Sequence, residues 1–162
     1  AGLARLRRKV EVPIFADESA AELGHLLQII DQDAADGFFL KMPKAGGILK
    51  STRWINIAQA ANLPVMCGCM ITTGLGSAAE AAFLGAMHWM GKIEQESIGP
   101  LNLHNIYDTV SGPIQNDLAV KPPRYENGCL YPPTGVGLGV EPDDDAIARQ
   151  ISPGKTPIII GK

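Results

Sequence analysis

Apolar residues follow two alternating rhythms along this chain. Val10 to Ala16 is dense in β-branched and aromatic residues, with Pro13 tolerated only near a strand's beginning, and reads as a buried strand. Leu23, Leu26, Leu27 and Ile30 then recur at helical spacing behind Ser19-Ala20-Ala21-Glu22, a capping box, so a helix is predicted over about 20–31. Phe38 to Lys41 is the next strand. Gly46-Gly47 permits the turn into a helix whose inner face is Ile48, Trp54, Ile57, Ala58 and Ala61, with Asn62 as its C-terminal cap. Pro64 to Met70 reads as a third strand, and Ser77-Ala78-Ala79-Glu80 repeats the capping box ahead of an Ala-rich helix running to about Met90. Gly91 to Pro100 is a polar loop, and Leu101 to Asp108 supplies a fourth strand. Strands alternating with helices over short links are the signature of a parallel sheet. Leu3 to Lys9 reads as the end of a preceding helix. Beyond Gly112, Pro, Gly and Tyr dominate until Pro142-Asp143-Asp144-Asp145, whose acids suit the start of a last short helix ending near Gln150.

On this alternation Asp17 and Lys41 finish neighbouring parallel strands at one edge of the sheet, where barrel enzymes keep their chemistry. The residues there are Ala16-Asp17-Glu18-Ser19 and, from Lys41, Lys41-Met42-Pro43-Lys44-Ala45-Gly46-Gly47, with Lys41 standing 24 residues after Asp17. They closely resemble the mandelate racemase and muconate lactonizing branch of the enolase superfamily, muconate cycloisomerases in particular. Val65-Met66-Cys67-Gly68-Cys69-Met70, Ser111-Gly112-Pro113 and Pro132-Pro133-Thr134-Gly135-Val136-Gly137-Leu138-Gly139 continue the resemblance, which covers roughly residues 1–150. It implies an α/β fold: the C-terminal half of a (β/α)₇β TIM-like barrel over residues 1–112, then a segment, 113–150, that returns to a capping domain. Residues 151–162 match nothing in the family pattern. The resemblance further implies that Asp17 is a Mg²⁺ ligand, with Mn²⁺ as a substitute, and that Lys41 is a catalytic acid/base.

A complete barrel of this kind needs ~250 residues, whereas the chain has 162 and opens on Ala1 inside an apparent helix. The expectation is therefore a fragment, ordered when paired with the N-terminal half of its own enzyme, in a protein that is itself an expected homo-oligomer. A net charge of −3 offers no footprint for nucleic acid. Arg5, Arg7, Arg8 and Lys9 form one basic cluster, read as a solvated helix face. No apolar run reaches the ~18 residues of a spanning helix and no leader pattern is seen, so no membrane partner and a cytoplasmic location are expected. Three cysteines are too few for a disulfide framework, and Cys67 and Cys69, two apart on a strand, lack neighbours with metal-ligand spacing.

Proton removal next to a carboxylate is hard because the enolate concentrates two negative charges. A hard divalent cation held by strand-end carboxylates answers that problem. Asp17 suits the task, against the plainer reading of a helix cap. Lys41 at neutral pH is a base only when a cation or an apolar pocket lowers its pKa, against the plainer reading of a lysine reaching into water. Glu18 and Lys44 are supporting candidates, with Lys44 expected to point elsewhere. Where relatives of this branch carry carboxylates, the chain has Thr72, Thr109 and Ser111, which become candidate substrate-binding hydroxyls. A dipeptide's ammonium would find no counter-charge there. Asp108 is expected to face away, and His25, His88 and His104 are read as solvent-facing or core residues.

The function expected is Mg²⁺-dependent racemisation, epimerisation or cycloisomerisation of a small carboxylic acid, with dehydration as the alternative. Two readings of other classes compete. Gly74-Leu75-Gly76-Ser77-Ala78-Ala79 fits a phosphate loop opening a helix, although Glu94 and Glu96 have no strand to carry a ribose contact. A non-catalytic half-barrel that only binds is the other.

Overall fold

The computed structural model describes residues 2–68, 70, 72–97, 99 and 117–156. The fourth predicted strand, with Cys69, His104, Asp108, Thr109 and Ser111, lies outside them. After a first helix, α1 (Gly2–Arg7), the elements run β1 (Phe15–Ala16), α2 (Leu23–Asp31), β2 (Gly37–Leu40), α3 (Met42–Ala45), α4 (Ile48–Ala60), β3 (Val65–Cys67) and α5 (Gly74–Ala86). A hairpin of β4 (Arg124–Glu126) and β5 (Cys129–Tyr131) and a helix, α6 (Asp144–Gln150), follow among the described residues.

The three strands form one parallel sheet in the order β1-β2-β3, with Ala16 beside Phe38 and Leu40 beside Cys67. Strand geometry sends alternate side chains to opposite faces. Ala16, Phe38, Leu40, Val65 and Cys67 are buried against Leu26 and Ile29 of α2 and Trp54, Ile55 and Ala58 of α4, forming the core. The Phe38 ring lies 5.9 Å from that of Trp54. Phe15, Phe39 and Met66, on the other face, are half-buried, and the Phe15 and Phe39 rings meet edge to face at 5.9 Å. Asp17 and Lys41, each two residues past one of those phenylalanines, continue that second face.

Several predicted details take another form. The first strand is shorter than 10–16 because Val10 and Val12 are exposed and only Phe15–Ala16 pairs with β2. Just before that pairing, Asp36 N–H donates to the Ile14 carbonyl (2.7 Å) and Ile14 N–H donates to the Asp36 carboxylate (2.7 Å), a side chain doing the work of a ladder. Neither capping box forms. Glu18–Ala20 makes a separate 3₁₀ turn, so α2 starts after Glu22 with no side-chain cap. Helix α5 begins three residues earlier than Ser77, which leaves Ser77 and Glu80 buried within it, Glu80 accepting from the Ser97 hydroxyl at 2.8 Å. That helix ends at Ala86, and His88–Lys92 is a 3₁₀ turn. Leu27, Ile48 and Ala61 face solvent; Ser51 and Ile55 take the buried places on α4.

Asn62 does cap α4. It sits at φ 52° in the left-handed region, donating to Gln59 O (3.1 Å) while Leu63 donates to Ala58 O (2.8 Å). The last helix also starts as its acids suggest, with Asp143 accepting from Ala146 N–H at 2.8 Å. The β4–β5 hairpin was not anticipated, although Asn127-Gly128, with φ of 51° and 75°, is the sequence that a tight hairpin turn requires.

The sheet's two outer edges differ. Among the described residues β1 pairs only with β2. The far edge of β3 is covered by Gln95, whose carboxamide accepts from Cys67 N–H (2.7 Å) and donates to Val65 O (3.3 Å), while Glu96 N–H donates to Cys67 O (3.2 Å). A side-chain amide and one backbone group thus occupy the positions another strand would use.

Candidate active site

Asp17 follows the last residue of β1 and Lys41 the last residue of β2. Both backbones turn sharply there: Asp17 precedes the 3₁₀ turn and Lys41 precedes α3, whose Pro43 sits in the first turn where no amide partner is needed. Neither residue spends its side chain on capping the turn it precedes. The Lys41 ammonium instead lies 2.5 Å from Asp17 Oδ1 and 2.7 Å from Glu18 Oε1, and Lys44 Nζ reaches the same Glu18 oxygen at 2.9 Å. Lys44 therefore points into the cleft, contrary to expectation. One further helical turn places it beside Lys41, because α3 begins immediately after the strand.

These four side chains line an open cleft together with Phe39 and Trp54. The Lys41 side chain is 13% exposed, Asp17 41% and Glu18 66%, so the ammonium is the sheltered member and the carboxylates form the rim. Burial works against the charge on Lys41, but hydrogen bonds to Asp17 and Glu18 outweigh it and raise the lysine pKa above its ordinary value. The lowered lysine pKa expected from the apolar setting is thus not what this arrangement produces, because two carboxylates face the ammonium. Hydrogen bonds from Lys41 and then Lys44 hold Glu18 down at about 2.

Asp17 fits one place in a magnesium site. It offers hard oxygen at a strand end, is half-exposed, and is not consumed as a helix cap. Among the described residues no three His, Cys, Asp or Glu side chains converge as a metal site would need. Thr72 is not brought to the cleft: its hydroxyl lies 3.3 Å from that of Ser77, in the first turn of α5. Thr109 and Ser111 are outside the described residues. His25 and His88 are exposed, and no described helix is long and apolar enough to cross a membrane.

The phosphate-loop reading fails on one contact. The Gly74 N–H that a phosphate would need donates instead, at 2.6 Å, to Asp117 Oδ1, a buried carboxylate that also accepts from Leu118 N–H at 2.7 Å. The chain's own anion fills the positive end of α5. No spacing rule links positions 74 and 117, so sequence reasoning had no means of pairing them.

Residues 1–146 match the enolase C-terminal domain-like family. The chain belongs to that family. Among curated members it is 34% identical over 145 residues to muconate cycloisomerase 1 of Rhodococcus opacus, an alignment covering 90% of this chain and 36% of that protein. It is 31% identical over 141 residues to the N-succinylamino acid racemase of an Amycolatopsis species, covering 87% and 35%. The crystal structure of a mandelate racemase/muconate lactonizing family protein from Azoarcus sp. EbN1 superposes with a TM-score of 0.82 at 48% identity, over 95% of this chain and 40% of the other. This enolase-family chain thus spans little more than a third of the length of the curated relatives it matches, and its strand–helix alternation is that of half a TIM-type barrel.

Proposed function

We propose that this chain carries half of the active site of a magnesium-dependent isomerase, a cycloisomerase or racemase that moves the proton next to the carboxylate of a small acid. The observation that carries the reading is the Lys41 ammonium held 2.5 Å from Asp17 and 2.7 Å from Glu18 at the C-terminal edge of a parallel sheet. Asp17 is the one described residue assigned as a metal ligand; a bound magnesium ion would supply charge stabilisation for the substrate carboxylate. Lys41 is the acid/base. As an ammonium it can deliver a proton, and the amine left behind can take one. Glu18 and Lys44 keep the Lys41 side chain in place, Glu18 as its second carboxylate partner and Lys44 as the cation that neutralises Glu18.

Phe39 and Trp54 add apolar lining to the cleft. Thr109 and Ser111 are assigned to the substrate, where hydroxyls in place of carboxylates favour an anionic or neutral group over an ammonium. The remaining metal ligands and any opposing base belong to a part of the enzyme outside this chain, and the names of the relatives make muconate and N-succinylamino acids the first compounds to try.

The test is Lys41→Ala in the complete protein. Lactonisation of muconate and solvent-deuterium exchange at the α-carbon of N-succinylamino acids should fall on the order of 10²-fold or more, with the fold intact by circular dichroism. Full activity in that variant would return Lys41 to an ordinary surface ion pair.

A further inference from the structure

Continuing the register of Leu40 beside Cys67 places Gly68 directly beside Lys41, on the same face of the sheet. Position 68 is glycine without a conformational reason, since it is not among the glycines with positive φ. The reason lies in space. A Cβ at 68 would sit 3.0 Å from Lys41 Cε and 3.2 Å from Lys41 Cγ, with Phe39 Cβ third at 3.3 Å. Carbon atoms pack best at ~3.5–4.0 Å, so the two tightest conflicts are with the lysine stem. The Gly68 backbone cannot retreat freely, because its N–H donates to Leu40 O at 3.0 Å as the last rung between β2 and β3. The stem is the part that must yield.

We infer that Gly68 is a positioning residue for Lys41: its missing side chain is the floor along which the lysine stem lies to bring its ammonium against Asp17 and Glu18. A methyl group there lifts the stem while leaving the helix-facing core, on the opposite side of the sheet, untouched. The fold and the lysine's placement therefore separate. The catalytic consequence rests on the reading of Lys41 as acid/base; the geometric one does not.

The experiment is Gly68→Ala in the complete protein, with two readouts. Reductive methylation with formaldehyde, followed by peptide mass spectrometry, reports the accessibility of the Lys41 amine independently of any substrate, with Lys44 as the internal reference. Its rate at Lys41 relative to Lys44 should rise severalfold. With whichever of muconate or an N-succinylamino acid the native enzyme turns over, kcat should fall about tenfold while KM moves far less, as expected for a misplaced catalytic group. If neither compound is turned over, methylation alone decides. Unchanged methylation and unchanged kcat overturn the inference, as does a change in only KM. Altered methylation with kcat unchanged keeps the geometric assignment and counts against Lys41 as the acid/base, which Lys41→Ala judges separately. Should Gly68→Ala fail to fold, adding Lys41→Ala removes the obstructing stem and should restore the native thermal midpoint. A double variant as unstable as the single would place the conflict at Phe39 or the backbone and overturn the inference.

Discussion

Replacing Asp36 tests how β1, and with it Asp17, is held against the rest of the sheet. Its carboxylate accepts from Ile14 N–H at 2.7 Å and from Arg7 Nε at 2.8 Å, and its own N–H donates to Ile14 O. A hydrogen bond to a charged group contributes ~1.5–3 kcal/mol and a neutral one ~0.5–1.5 kcal/mol. With the Asp36 side chain 32% exposed, the lower half of each range applies. Asp36→Ala should then cost about 2 kcal/mol and Asp36→Asn about 1 kcal/mol, the solvent-open pairing with Arg7 adding little. Ile14 N–H first and Arg7 second lower the Asp36 pKa, so the unfolded chain binds the proton more readily than the native one. The stabilisation is complete above the unfolded value near ~3.9 and is lost as pH falls through the lower native value. Thermal unfolding of native and Asp36→Asn proteins should show a gap that is constant from neutral pH down to about 5 and that closes below about 4. Amide exchange across residues 14–16 should speed up in the variant at neutral pH. A gap that persists unchanged into strong acid, or that widens there, would refute the assignment of Asp36 as a charged anchor.

Asp17→Asn in the complete protein should weaken Mg²⁺ and Mn²⁺ binding by about tenfold or more in calorimetric titration, because a neutral amide oxygen replaces a charged ligand; unaltered affinity would remove Asp17 from the metal site. Asp117→Ala leaves the first amide of α5 without its anion and should cost about 2 kcal/mol, with faster amide exchange confined at first to residues 74–77 and 118–120. Gln95→Ala uncovers the far edge of β3, so the Cys67 amide should lose protection while the Phe38 amide, bonded to Pro64 O on the other side of that strand, should keep it. Phe38→Ala removes a ring with no exposed surface and should cost about 3–5 kcal/mol, enough to lower soluble yield sharply.

Two classes of information separate cleanly in this chain. Periodicity and punctuation are local, so the alternation of strands and helices, the Asn62 cap and the Asp143 start of α6 could be read directly from neighbouring residues, as could the placing of Asp17 and Lys41 at one sheet edge. The capping boxes at Ser19 and Ser77 failed although their letters were right. A 3₁₀ turn claimed Glu18–Ala20, and packing drew Ser77 and Glu80 into the interior of a helix that starts earlier. Tertiary contact outweighed a capping preference of only ~1 kcal/mol. What no local pattern could state is which distant groups meet: Asp117 on the first amide of α5, Gln95 along β3, Lys44 turned onto Glu18, and the bare Cα of Gly68 beneath the Lys41 stem. Each depends on strand register and helix placement settled by burying Phe38, Leu40, Trp54 and Val65 together. Residue types therefore announced the candidate acid/base and metal ligand, whereas their separation of 2.5 Å, and the raised lysine pKa that two facing carboxylates produce, belong to the folded sheet alone.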